Sequence, residues 1–269
     1  MIHYKTEAEI EKIRKSCLIV SEALNRVAEL LKPGIDGLTI DAAAEEVIRD
    51  HGALPGFKGF NGFPSTLCIS KNESVVHGIP NDEPFVEDDI LSIDCGSLFD
   101  GYYGDSAYTF ALGGVQDSIM TLLAVTRASL YRGISMAVEG NRMGDIGHAV
   151  QHFCEREHNF SIVRELVGHG IGEGLHEAPE VPNYGRRGMG SKLKEGLVIA
   201  IEPMVNMGRK KVVQAEDGWT INTKDGKPSA HFEHTIAVGK DVADILSDHS
   251  MIEITIKNNA NLKEVSLKN

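Results

Sequence analysis

The dipeptide Asp100-Gly101 is the feature that most narrows what this chain can fold into. It lies inside Ile93–Asp105, IDCGSLFDGYYGD, between two largely apolar runs. A type I′ turn needs positive φ at both central residues, so Asp-Gly between strand-like runs is among the strongest short-range hairpin signals. Pairing Phe99 with Tyr102 puts Asp94 opposite Ala107. Asp105, two residues from Ala107, then lies on the same face, diagonal to Asp94 and within reach of a shared ion. A bulge at one of the glycines would spoil this register. The stretch holds three aspartates and no basic residue. Like charges that close repel, and one is protonated unless a cation intervenes. A pair of solvated loop aspartates is the plain alternative, while Asp100 is accounted for by the turn.

The elements around the hairpin read as a mixture of helices and strands. Thr6 and Glu9 have capping-box spacing. Ile10, Ile13, Cys17, Val20, Leu24, Val27 and Leu31 then recur every three or four residues until Pro33-Gly34, which predicts a long amphipathic helix. Further helices are predicted over Thr39–His51, Asp117–Glu139 and Asp145–His158. Strands are predicted at Thr66–Ser70, Ile90–Phe99, Ile162–Leu166, Leu197–Val205 and Ile236–Val238. The fold class is α+β or mixed α/β, and no low-complexity linker divides the chain, so 1–269 reads as one domain. The tail 248–269 is unassigned; Ile252, Ile254 and Ile256 fit a short strand or part of a helix. TFALG (109–113) echoes TIAVG (235–239), and LSID (91–94) echoes IAIE (199–202). Chance produces such echoes, and so does an old duplication into two similar halves.

Several function classes are disfavoured by composition. The net charge is −12 and the basic footprint of a nucleic-acid binder does not appear. No apolar run approaches a membrane span, and the charged N-terminus does not resemble a signal peptide. Four scattered cysteines without a CxxC pair fit a reducing compartment, so the cytoplasm is expected.

Other carboxylates stand in equally unusual places. GLVIAIEPMV sets Glu202 in an apolar, β-branched run, where a carboxylate is costly unless paired or bound to metal. A salt bridge to a distant basic residue is the alternative. SAHFEHTIAV puts Glu233 between His231 and His234, and GHGIGEGLHEAP supplies His169 and His176. Each histidine alone fits a structural or solvent-facing role. Together Asp94, Asp105, His169, Glu202 and Glu233 form a set of four carboxylates and one imidazole. Two divalent cations would neutralise those charges. Oxygen-rich ligation with one nitrogen suits Mn, Fe or Co, with Zn possible. Such a pair activates a bridging water and polarises a carbonyl.

NESVVHGIP (72–80), DCGSLFDGYYGD (94–105), GHGIGEGLHEAP (168–179), IEPM (201–204) and SAHFEHT (229–235), in this order and spacing, resemble the type 1 methionine aminopeptidases of short bacterial form, over about residues 3–247. The resemblance implies the pita-bread fold, two pseudo-symmetric halves around an antiparallel sheet, with 1–269 as a single catalytic domain. It implies a dinuclear metal site at Asp94, Asp105, His169, Glu202 and Glu233. His77 would lie at the scissile amide nitrogen, and His176 would hydrogen-bond the carbonyl oxygen as it becomes an oxyanion. Glu202 would also shuttle a proton from water to the leaving amine. Substrates would be peptides and nascent chains with N-terminal methionine and a small second residue, with the ribosome as a candidate partner and a monomeric state. Phe60, Phe63, Cys68 and Trp219 would wall the methionine pocket, where sulfur–aromatic contact suits a thioether. Without the resemblance, His77 reads as a turn histidine and the two phenylalanines as loop packing.

The chain departs from that pattern in places. Many relatives carry tyrosine at Phe60 and Phe63 and glutamine at His231, which puts hydrogen bonds from those hydroxyls in doubt; His231 either perturbs the metal or faces away. Two rivals remain: a proline-specific peptidase of the same fold, usually with an extra N-terminal domain, and a non-catalytic binding module, usually stripped of metal ligands. A serine hydrolase is disfavoured because no GxSxG occurs.

Overall fold

The protein is described by a computed structural model over residues 2–267, so Met1 and the last two positions of the tail, Lys268 and Asn269, lie outside the described residues. Helix α1 spans Glu7–Leu30, and both halves of the Thr6/Glu9 capping box are made. Its stripe of Ile13, Cys17, Val20, Leu24 and Val27 is fully buried. Helix α2, Gly37–Asp50, begins earlier than the predicted Thr39, because Asp36 is the N-cap and accepts from the Thr39 backbone N–H. Helix α3, Asp117–Ile134, stops well short of the predicted Glu139. Tight turns replace it, with Met136 N–H donating to Gly133 and Ala137 N–H to Ile134, and Val138 leaves to bridge Gly239. Helix α4, Met143–Gln151, runs on as a π-helical turn over His152–Glu157.

The hairpin is regular. Ile90–Phe99 pairs with Tyr102–Ala111 without a bulge, and Asp94 faces Ala107 as the turn dictates. Asp100 and Gly101 have φ of 49° and 81°, the I′ requirement. Leu67–Lys71 pairs with the other edge of Ile90–Phe99. A five-stranded sheet carries Val198–Ile201 beside His234–Ala237 and Gly168–Gly170, flanked by Glu177–Val181 and Asp244–Ile245. Among the described residues, every pairing between strands is antiparallel.

Two predicted strands are corrected. Ile162–Leu166 shrinks to Ser161–Ile162. Leu197–Val205 is two strands, Val198–Ile201 and Met204–Asn206, separated at Glu202-Pro203. Proline has no N–H to give a ladder, and the partner chain breaks at the same level, between Ser229–His231 and His234–Ala237. There Glu233 donates its backbone N–H to Ala107 of the first hairpin, 3.0 Å away. The register is unchanged across the gap, with Ile201 opposite His234 and Met204 opposite His231.

The sequence echo maps onto this register. Thr109 pairs with Ser92 and Phe110 with Leu91; Thr235 pairs with Ala200 and Ile236 with Ile199. Equivalent letters occupy equivalent cross-strand pairs, as two pseudo-symmetric halves require. The tail forms α5, Ser250–Asn258, a helix and not a strand. Ile252 and Ile256 are buried one turn apart while Ile254 is 51% exposed, and Thr255 hydrogen-bonds Asn25 of α1. One buried apolar cluster runs from Ile19 to Val265. Among the described residues, no helix is long and apolar enough to cross a membrane.

Candidate metal centre

The two strand breaks and the hairpin turn their carboxylates towards one point. Asp94 and Asp105 come from the first hairpin, where the register makes them diagonal neighbours. Glu202 and Glu233 come from the breaks, and His169 from Gly168–Gly170. Ligand atoms of Asp105, His169 and Glu233 all lie within 4.8 Å of one another. His169 Nε2 is 3.8 Å from Asp105 Oδ2 and 3.5 Å from Glu202 Oε1. Two atoms each about 2.1 Å from a common ion stand about 3.0–4.2 Å apart, so these separations match shared ligation. His169 Nδ1 lies 3.0 Å from the Gly170 carbonyl. A proton on Nδ1 for that bond leaves Nε2 bare for a metal.

The electrostatics point the same way. Among the described residues, no lysine or arginine pairs with Asp94, Asp105, Glu202 or Glu233, which removes the distant salt bridge as an account of Glu202. Asp94 Oδ1, Asp105 Oδ1 and Glu233 Oε1 are buried without any hydrogen-bond partner. Burial pushes the Asp94 carboxyl up to about 6, with Glu202 adding to the rise and His231 opposing it. Burial alone raises Glu202 to about 8. Asp105 and Glu233 rise well above the carboxylate range through burial and then their acidic neighbours. Burial lowers His169 and His77 to about 4, the former helped by His176. Four carboxylates, Asp105 and Glu233 buried and Asp94 and Glu202 half-buried, facing bare imidazoles without a lysine or arginine, make a donor set that fits divalent metal.

Above the carboxylates lies a cavity of about 410 Å³. Phe60, Phe63, Cys68, Trp219, His77 and His176 all line it, beside the five acidic and imidazole groups. Phe63 meets Trp219 edge-on at 5.2 Å, and Phe60 meets His176 at 5.3 Å. Trp219 is set by an Asx turn in which Asp217 accepts from the backbone N–H groups of Trp219 and Thr220. Cys68 is the direct cross-strand partner of Asp94, and burial with Asp94 and Asp105 nearby raises its thiol pKa far beyond ordinary reactivity. His77 sits at φ 60°, between Ser74–Val76 and a glycine that hydrogen-bonds Ser70.

Some functional residues escaped the sequence reading. Phe57, Leu175 and Met204 also line the cavity. Leu175 adjoins His176 in a motif already singled out, and Met204 follows the Glu202-Pro203 break. His231 does not face away: it is 1% exposed, with Nε2 3.5 Å from Glu202 Oε2. The internal echo carried that information, since it aligns His231 with Asp105.

The profile of metallopeptidase family M24 matches residues 11–240. A methionine aminopeptidase of Clostridium perfringens is 47% identical over 247 residues, spanning 92% of this chain and 99% of its own. The crystal structure of methionine aminopeptidase from Thermotoga maritima superposes with a TM-score of 0.90 at 42% identity, covering 92% of this chain and 100% of that one. An X-Pro aminopeptidase from the same organism shares the fold alone: its TM-score is 0.72 at 21% identity, and 62% of its length is matched.

Proposed function

This chain belongs to metallopeptidase family M24 and, within it, to the methionine aminopeptidases, and on that basis we propose that it removes N-terminal methionine from peptides and nascent proteins with a small second residue, using two divalent ions. The observation that carries the reading is the set of four carboxylates, two buried and two half-buried, that line an aromatic cavity with no lysine or arginine paired to them. Asp94, Asp105, His169, Glu202 and Glu233 would hold the ions, which would supply Lewis acidity and lower the pKa of a bound water. Mn, Fe, Co and Zn all suit the donors.

The chain's own groups do the rest. The methionine side chain enters between Phe60, Phe63, Cys68 and Trp219, where apolar and sulfur–aromatic contacts select a thioether. The free amine faces the aspartates. His176 donates to the carbonyl oxygen as negative charge gathers there, and His77 stands at the scissile amide nitrogen. As the water oxygen bonds to the carbonyl carbon, Glu202 takes its proton, then delivers it to the amine nitrogen as the C–N bond breaks.

The test is to strip the protein with a chelator and assay Met-Gly and X-Pro peptides side by side, adding back Mn, Fe, Co or Zn. Metal-restored release of methionine from Met-Gly alone is expected. Cleavage of X-Pro alone would assign it to proline-specific chemistry. A folded chain inert with every metal would refute the catalytic reading.

A further inference from the structure

The second half of the molecule repeats the first at the metal face, and the repeat ends on a residue to which no role has been given. Gly96 pairs with Asp105, and Met204 pairs with His231. The backbones are gripped alike. Thr235 Oγ1 donates to the Asp105 carbonyl at 2.8 Å. Its counterpart Thr109 donates to the His231 carbonyl at 2.6 Å and accepts from the His231 backbone N–H at 3.0 Å. His231 therefore stands to Glu202 as Asp105 stands to Asp94, a diagonal neighbour on the same face.

His231 Nε2 is buried and has no hydrogen-bond partner. It lies 3.5 Å from Glu202 Oε2, while His169 Nε2 lies 3.5 Å from the other oxygen, Oε1. The Glu202 carboxylate is thus bracketed by two imidazoles. His231 stands beside the oxygen away from His169, where an N–H donor can hold the carboxylate.

We propose that His231 is a positioning residue whose Nε2–H donates to Glu202 Oε2, so that Oε1 is held towards the ion shared with His169. The proposal rests on the metal-centre reading above. Without a donor on its outer oxygen, the half-buried Glu202 carboxylate is freer to rotate, which costs metal affinity. The contact is longer than an ordinary charge-assisted bond of about 2.7–2.9 Å, and closing it takes a shift of less than about 1 Å. Such contacts tighten when a site is filled.

The test uses zinc, which is diamagnetic, with the wild-type protein, H231Q and H231L. Long-range proton–nitrogen spectra of the zinc-loaded wild type should show the His231 proton on Nε2, and that of His169 on Nδ1. Zinc in place of the proton on His231 Nε2 would overturn the proposal and make His231 a ligand. By calorimetry, H231L should bind zinc about 10–100-fold more weakly, the usual effect of losing an outer partner of a ligand. H231Q, which keeps an N–H donor, should recover most of that loss, with metal-free unfolding midpoints alike. H231L matching wild type would refute the role. If H231L does not fold, H231M, unbranched and also lacking a donor, replaces it. Zinc failing to bind the wild type at all would refute the metal centre itself, and the positioning role with it.

Discussion

Removing the metal should make stability fall as pH rises, and the size of that fall follows from the site. In the metal-free chain Glu202 is raised to about 8 and Asp94 to about 6, while Asp105 and Glu233 are raised further by burial among acids. Each folded-state value exceeds the unfolded one, so the folded form holds protons that the unfolded chain has released. Their contribution is complete below the ordinary carboxylate range and is lost as pH rises through about 6 and then about 8. From pH 7 to pH 9 Glu202 alone should cost about 1.4 kcal/mol. Asp105 and Glu233 add to that fall, while Asp94 is already ionised. With metal bound, the four carboxylates are charged throughout, and this slope disappears. The four buried cysteines also favour the folded state less at high pH, but they do so in both forms. The assay is therefore a difference: urea unfolding of stripped and metal-loaded protein, at fixed free metal, across pH 7 to pH 9. The gap should widen by at least about 1.4 kcal/mol. A gap that stays flat would mean that the carboxylates hold no protons in the stripped protein, and the charge argument for the metal centre would fail.

Glu202→Gln should abolish turnover while circular dichroism stays unchanged; retained activity would remove the proton shuttle. His176→Ala should lower kcat about 10²–10³-fold with little change in KM, because its hydrogen bond strengthens only as the oxyanion forms. A rise in KM alone, in steady-state kinetics on Met-Gly peptides, would count against that assignment. Gly104→Ala should destabilise the fold by about 1–3 kcal/mol, since a Cβ there would lie 2.3 Å from the Cys17 backbone nitrogen and force α1 off the hairpin. An unchanged urea midpoint would show that the helix can yield.

Local rules succeeded where the sequence carried its own geometry. Asp100-Gly101 dictates a turn, the turn sets a register, and the register puts Asp94 and Asp105 on one face. Thr6 and Glu9 close a capping box within four residues. Such relations need no knowledge of the rest of the chain. The tail shows the limit: alternating isoleucines suit strand or helix equally, and contact with α1 decides for the helix.

The break at Glu202-Pro203 could not be read from its own segment. Leu197–Val205 has the composition of one continuous strand, and local propensity favours extending it. What divides it is a second interruption, at Phe232-Glu233 on the partner, and a hairpin distant in sequence that takes up the freed Glu233 N–H. The register survives the gap, so the break does not reset the sheet. It takes two carboxylates out of the ladder and leaves them facing Asp94 and Asp105. The same logic applies to the direction of His231. Its neighbours in sequence are ambiguous, and only the match between the halves, with Thr109 holding His231 as Thr235 holds Asp105, fixes which way its backbone is presented. The electrostatic requirement, four acids without a base, was legible residue by residue. The geometry that satisfies it depends on superposing two halves of the chain, and that superposition was written in the sequence only as five letters and four.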